Sequence, residues 1–249
     1  MKLETHGQVN FLRLEHGKAN AMDETFLGQL DEQLDKHQAT DARGLVFGGT
    51  GKIFSAGLNL VEIIELDRDG MRQLMLHLQQ SLLRLFALDQ PVVAAVNGHA
   101  IAGGCLLALQ ADRLVAPDDG FKMGVSEVAL GVGVPATGIA AVQARMGPRE
   151  ASIVLEEGEL HGPERARELG MVDELVPREK VLDRALEVAD RLASRPRSGA
   201  RFLKNALRGD TVARLRDQLP GDTEKWLDTW FSDEAQEQLN AAVESLRKR

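Results

Sequence analysis

Cysteine occurs once, at Cys105; tyrosine is absent, and aromatic residues make up only 4% of the 249. One thiol cannot close an intramolecular disulfide, which fits a reducing compartment. The absence of tyrosine is unusual and has no evident physical cause. No apolar run reaches the roughly 18 residues of a membrane span. Met1 to Asn20 lacks the apolar stretch of a signal peptide. The expected address is therefore cytoplasmic, with no membrane partner. Positive charge is also short: 30 Lys and Arg face 38 Asp and Glu, for a net charge of −8. That balance argues against nucleic acid or an anionic membrane as the main partner. An anionic ligand would need a local basic rim. Low-complexity segments and clean repeats are missing too.

What is present bounds the architecture. A chain of 249 residues, 43% hydrophobic and 27% charged, can bury a sizeable core as one large domain or a domain plus a lobe. Its centre is 92–109, VVAAVNGHAIAGGCLLAL. Val92 to Val96 fits a buried strand, Asn97-Gly98 breaks it, and Gly103-Gly104 opens an apolar helix. Strand-to-helix turns of this kind leave free backbone N–H groups at the positive end of a helix, which suit a phosphate or a transient oxyanion. Residues 52–60, KIFSAGLNL, form a second small-residue turn, and two such turns brought together would make a two-donor oxyanion hole.

Along the rest of the chain, Val9 to Leu14 reads as a strand. Asp23 caps a helix to about His37, with Phe26, Leu27, Leu30 and Leu34 inward. Leu45 to Phe47 reads as a short strand, and Asp69 to Ala87 as a long amphipathic helix. A further strand is expected at Arg113 to Ala116, and a helix at Ile139 to Met146. Gly147-Pro148 and Gly162-Pro163 punctuate two helices with Pro in the first turn. Met171 to Val176 reads as a strand and Arg178 to Ala193 as a helix. After Pro196 only helical patterns remain, ending in a stripe of Ala235, Leu239, Ala242, Val243 and Leu246.

FSAGLNL and NGHAIAGGCLLAL, with Ala56 and Gly103 47 positions apart, resemble the two signature segments of the crotonase superfamily, the enoyl-CoA hydratases and isomerases. MGVSEVALGVGVP (123–135) and GPERARELGMVDELVP (162–177) extend the similarity over essentially the whole chain. The resemblance implies an α/β spiral of ββα turns over 1–195 carrying an acyl-CoA site. A helical lobe over 196–249 would pack on neighbouring subunits of a homotrimer or hexamer. It implies oxyanion donors at the N–H groups of Ala56 and Gly103, with Ala102 standing where relatives carry a further glycine. A backbone amide donates whatever its side chain, so that change is expected to be tolerated. The pattern E-x-x-L-G, matched by Glu127 to Gly131, implies that Glu127 is an acid/base with a raised pKa rather than a solvated strand-end residue. Contacts to CoA are implied near Ala19, Ala21 and Ala56, with Lys18 and Lys52 attracting phosphates. Leu58, Gly104 and Leu106 would touch the substrate. No metal is implied and no separate cofactor, CoA being part of the substrate.

Leu106 stands where hydratases of this superfamily carry a second glutamate. Leucine neither orients nor deprotonates water, and GGCLLAL resembles the mitochondrial-type Δ3,Δ2-enoyl-CoA isomerases, which work with one glutamate. Moving a double bond needs a proton taken from carbon-2 and returned at carbon-4, a task one carboxylate can do in a dry site. The leading expectation is thus an isomerase acting through a thioester dienolate. A hydratase using another carboxylate (Glu62, on a short helix lining the pocket) is an alternative, as is a thioester hydrolase or decarboxylase. Outside the superfamily stand a hydrolase built on Cys105 and His99, and a non-catalytic acyl-CoA binder. Asn59 replaces an aspartate common in relatives. GGTGK at 48–52 lacks the first glycine of a P-loop, where Val46 stands, and Ile53 follows its lysine.

Overall fold

The structure is a computed structural model describing residues 1–248. Its strands are β1 Lys2–His6, β2 Val9–Arg13, β3 Gly44–Gly48, β4 Ile53–Ser55, β5 Val92–Ala95, β6 His99–Ile101, β7 Arg113–Pro117, β8 Met123–Gly124 and β9 Glu174–Val176. The helices are α1 Glu24–Gln38, α2 Leu60–Ile63, α3 Arg68–Ala87, α4 Gly103–Leu109, α5 Ala136–Glu157, α6 Pro163–Glu168, α7 Val181–Ala193, α8 Arg197–Trp230 and α9 Asp233–Arg247. Short 3-10 turns cover Glu127–Leu130 and Arg178–Lys180.

Three successive strand pairs generate the architecture. β3, β5 and β7 lie in a six-stranded sheet ordered β1-β2-β3-β5-β7-β9, while the strand following each (β4, β6, β8) lies in a separate three-stranded sheet. Helices return the chain between pairs, so each β-β-α unit advances one position in both sheets and the chain winds as a spiral. Apart from the β1–β2 hairpin the pairings between named strands are parallel. Parallel strands need both faces covered, and their sequences show it. Leu12, Leu45, Phe47, Val92, Ala94, Leu114 and Ala116 enter the main core with α1, α3, α4 and α5. The alternate residues Val9, Phe11, Val46, Val93, Ala95 and Val115 meet Val181, Ala185, Val188 and Ala189 of α7.

Helix starts follow side-chain caps. Asp23 Oδ1 accepts from Phe26 N–H at 2.8 Å, and Asp67 Oδ1 accepts from Gly70 N–H at 2.8 Å, so α3 begins one residue before Asp69. Gly147 at φ +80° interrupts α5, and Pro148 starts the next turns, as the Gly-Pro pair requires. The strand expected from Met171 shrinks to Glu174–Val176. The N–H groups of Met171 and Val172 both turn back to the Ala166 carbonyl and leave the sheet.

The C-terminal helices differ from expectation. Ala235, Leu239 and Val243 of α9 are buried within the chain itself, and Trp226, Leu227 and Trp230 of α8 belong to the main core. The apolar surface left open lies instead on the first half of α8, where Phe202, Leu203 and Leu207 are 71%, 62% and 82% exposed. This half is fixed to the sheet by charge. Lys204 Nζ meets Asp112 at 2.7 Å, Arg208 meets it at 3.0 Å, and Val92 N–H donates to the same carboxylate at 2.7 Å. Among the described residues no helix is long and apolar enough to cross a membrane.

Candidate active site

The two small-residue turns meet through close backbone approach. A β-carbon on Gly104 would stand 2.2 Å from the Ser55 carbonyl oxygen, so only glycine lets the start of α4 press onto β4. Gly104 is thus a packing residue and does not line the cavity, contrary to the contact expected of it. Gly57 adopts φ +83°, and a β-carbon there would stand 3.0 Å from the Gly103 nitrogen. One on Gly103 would lie 3.6 Å from the Leu58 nitrogen. Gly103 is in the first turn of α4, where N–H groups have no intrahelical acceptor.

The partner donor is not the expected one. Residues 19–22 run beside 55–59: Ala56 N–H donates to the Ala19 carbonyl at 3.0 Å, Met22 N–H to Gly57 at 2.7 Å and Asn59 N–H to Met22 at 2.8 Å. Ala56 therefore has its N–H already engaged. Leu58, two residues on, donates to no acceptor among the described residues, and it sits against Gly103. Leu58 and Gly103 form the pair of free amides. Alternation gave no signal for this, because in an extended segment the N–H groups of 56 and 58 point to the same edge; it is Gly57, at φ +83°, that breaks the extended run between them.

Ala102, just before this pair, adopts φ +50° and ψ −125°, a conformation that favours glycine. The replacement of a glycine here therefore leaves the donors in place but strains the backbone, by about 1–3 kcal/mol.

Leu58 and Gly103 open into a cavity of about 70 Å³, which Glu127 and Leu106 also line. Glu127 begins the 3-10 turn, which ends at Gly131 in the left-handed conformation at φ +71°. The residue is half-buried, but its Oε2 is shut off from solvent and has no hydrogen-bond partner among the described residues. Burial pushes its pKa up to about 7. Among the described residues every other lining side chain is non-titratable, and the other polar side-chain groups are the Ser126 hydroxyl and the indole N–H groups of Trp226 and Trp230. Leu106 is 1% exposed and packs against Gly138. Trp226, Trp230, Leu78 and Leu239 complete the walls.

The remaining candidates lie elsewhere. Glu62 is on α2 but exposed, accepting a 2.9 Å hydrogen bond from Asn59 Nδ2, and does not line the cavity. The His99 Nδ1 accepts from the Lys122 N–H at 3.0 Å. Cys105 is fully buried; that burial, and then the nearby Glu127 charge, push its thiol up, away from a nucleophilic thiolate. Lys18 and Lys52 are exposed and Ala19 and Ala21 half-buried, whereas Ala56, its N–H engaged, does line the cavity. The GGTGK stretch ends β3 and turns into β4, with no helix following it. Among the described residues no cluster of His, Cys, Asp and Glu is arranged to hold a metal ion.

Comparison with known proteins agrees with this geometry. A family described as enoyl-CoA hydratase/isomerase matches residues 4–249. The chain belongs to that family. Members act on acyl-CoA thioesters, and this one is an enzyme of the crotonase superfamily with an isomerase-like pattern. Enoyl-CoA delta isomerase 1, mitochondrial, from Mus musculus is 29% identical, over 99% of this chain and 87% of its own length. A putative enoyl-CoA hydratase from Thermus thermophilus is 32% identical, over 81% of this chain and 80% of its own length. Human mitochondrial delta3-delta2-enoyl-CoA isomerase superposes with a TM-score of 0.94 at 28% identity, covering 99% of this chain and 98% of that one. The fold is therefore the crotonase fold.

Sequence reasoning missed Leu60, Leu78, Ser126 and the tryptophans as wall residues of this family member. The tryptophans had a signal. The chain has two, at i and i+4 of a helical pattern, in a sequence poor in aromatics.

Proposed function

We propose that the protein is an enoyl-CoA isomerase, converting a 3-enoyl-CoA thioester to the 2-trans isomer with Glu127 as its one acid/base. The observation that carries this reading is the cavity's lining, in which Glu127 is the only titratable side chain among the described residues. In its ionised form Glu127 removes a proton from carbon-2. The electron pair moves into the thioester, giving a dienolate whose oxygen accepts hydrogen bonds from Leu58 N–H and Gly103 N–H. Each donor contributes about 3 kcal/mol to stabilising that charge. The same carboxyl group, now protonated, returns the proton at carbon-4, and the double bond settles between carbons 2 and 3. A pKa of about 7 suits a group that both accepts and gives a proton at neutral pH. Leu106 keeps water from the dienolate.

CoA itself is taken to lie along the Ala19–Ala56 edge, where Lys18 and Lys52 are free to meet its phosphates. No cofactor beyond the substrate's own CoA enters this chemistry. Second and third copies of the chain are proposed to cover Phe202, Leu203 and Leu207, giving a homotrimer or a hexamer of two trimers. A cytoplasmic address belongs to the same reading, resting on a lone, buried thiol.

Hydration is the competing reading, favoured by relatives with hydratase names such as the Thermus protein. Its second carboxylate has no counterpart in the cavity, and Glu62 faces away. The test is a rate ratio: trans-3-enoyl-CoA isomerisation is expected to exceed trans-2-enoyl-CoA hydration by at least about 100-fold, the weight of a positioned acid/base. Hydration at an equal or greater rate overturns the isomerase reading.

A further inference from the structure

The walls of the cavity also bear on which acyl groups enter it. Trp226 and Trp230, one helical turn apart on α8, stack with ring centroids 5.4 Å apart and planes inclined at 25°. They are 5% and 2% exposed, so their rings are committed to the interior. Neither ring is free to swing aside at low cost. Trp226 Nε1 donates to the Gly133 carbonyl at 2.7 Å, while Gly133 N–H donates to Thr229 Oγ1 at 2.9 Å. This reciprocal pair ties α8 to the loop after Gly131, and Val132 N–H in that loop donates to the Glu127 carbonyl at 3.2 Å. The indole wall and the backbone of the acid/base residue are therefore one connected unit. Displacing the indoles would break the Trp226 bond and pull on Glu127.

We infer that Trp226 and Trp230 form an acyl-length stop that restricts the enzyme to short-chain acyl-CoA thioesters. This rests on the proposed acyl-CoA reading of the cavity but goes beyond it, to the size of the acyl group. A cavity of about 70 Å³ is about half the roughly 150 Å³ of an apolar protein cavity that takes up one benzene. A few methylenes fill it. Each further one must push on packed indoles, where overfilling a close-packed interior is unfavourable. The wall is apolar, so it rejects length rather than hydrophobicity.

Binding of unreactive saturated esters tests the stop without relying on turnover. Hexanoyl-CoA is expected to bind at least about tenfold more tightly than dodecanoyl-CoA or hexadecanoyl-CoA, against the usual gain per buried methylene in an open pocket. Trp230→Ala is expected to reverse that order by opening room for the longer chains. Trp226→Phe, which keeps a ring but loses the bond to Gly133, is expected to narrow the ratio; it guards against a Trp230 variant that fails to fold. Wild-type affinity that rises steadily from hexanoyl to hexadecanoyl overturns the length stop while leaving isomerisation to be judged on its own assay. A sharp preference for the short ester without isomerisation upholds the stop and overturns the isomerase reading. Binding of no ester overturns both.

Discussion

Lys204 on α8 meets Asp112, just ahead of β7, at 2.7 Å, and Arg208 reaches the same carboxylate at 3.0 Å. Burial lowers the pKa of both cations, with Asp112 opposing the shift. Asp112→Asn is expected to destabilise the fold by roughly 2–3 kcal/mol, the cost of leaving largely buried cations uncompensated, discounted for residual solvent access. Denaturant titration reads it as a lower midpoint. A midpoint within error of wild type would show that the pair merely decorates the surface.

Glu127 gives two pH predictions of opposite sense. Activity needs the ionised form in the free enzyme, so kcat/KM should fall about tenfold per pH unit below about 7. Stability runs the other way. A carboxyl group whose pKa is raised on folding contributes most below its unfolded value near 4.5, and that contribution is lost as pH rises through about 7. The penalty at pH 8 is roughly 3 kcal/mol. Glu127→Gln should therefore lose at least about 100-fold in isomerisation, yet melt at a higher temperature than wild type at pH 8. A variant with wild-type turnover, or one that melts lower, contradicts this account of the residue.

Ala102→Gly is expected to stabilise the protein by about 1 kcal/mol, relief of strain at φ +50° outweighing glycine's greater freedom when unfolded. Donor geometry at Gly103 should be preserved, so turnover should change little. Lower stability in chemical denaturation would mean that the surroundings, not the residue, absorb the strain.

Phe202 and Leu207, both on the open face of α8, are expected to lie at the junction between copies. Sedimentation should give a trimer or hexamer for wild type, and a smaller species for the double substitution Phe202→Glu, Leu207→Glu. A wild-type monomer at micromolar concentration would refute the assembly.

Much of this was legible in the sequence because it lives in local pattern. The apolar strand 92–96, the glycines after it and the E-x-x-L-G turn each have one workable local conformation, and together they locate the cavity. The three-stranded sheet was less legible: β6 and β8 have three and two residues, too few for any periodicity to declare itself. Ala56 was the instructive miss. A motif identifies which segment carries a donor, but which of its amides is free depends on the neighbouring chain, here the Ala19 carbonyl 37 positions away. The direction of α9 was likewise invisible. An apolar stripe reports that a face is covered and not by what; Leu239 and Val243 turned out to be covered from within the same chain.

The position of the tryptophans along the chain has a temporal consequence. Glu127 and both free amides belong to the first 130 residues, whereas Trp226, Trp230 and Leu239 belong to α8 and α9, which follow much later. A growing polypeptide acquires its reactive groups and part of their walls early, and completes the enclosure only with α8 and α9. Until α8 and α9 dock, the acid and the amides stand open to water, and a prematurely terminated product would keep them in that state. Synthesis through α8 and α9 is thus what separates a dry reaction chamber from an exposed carboxylate.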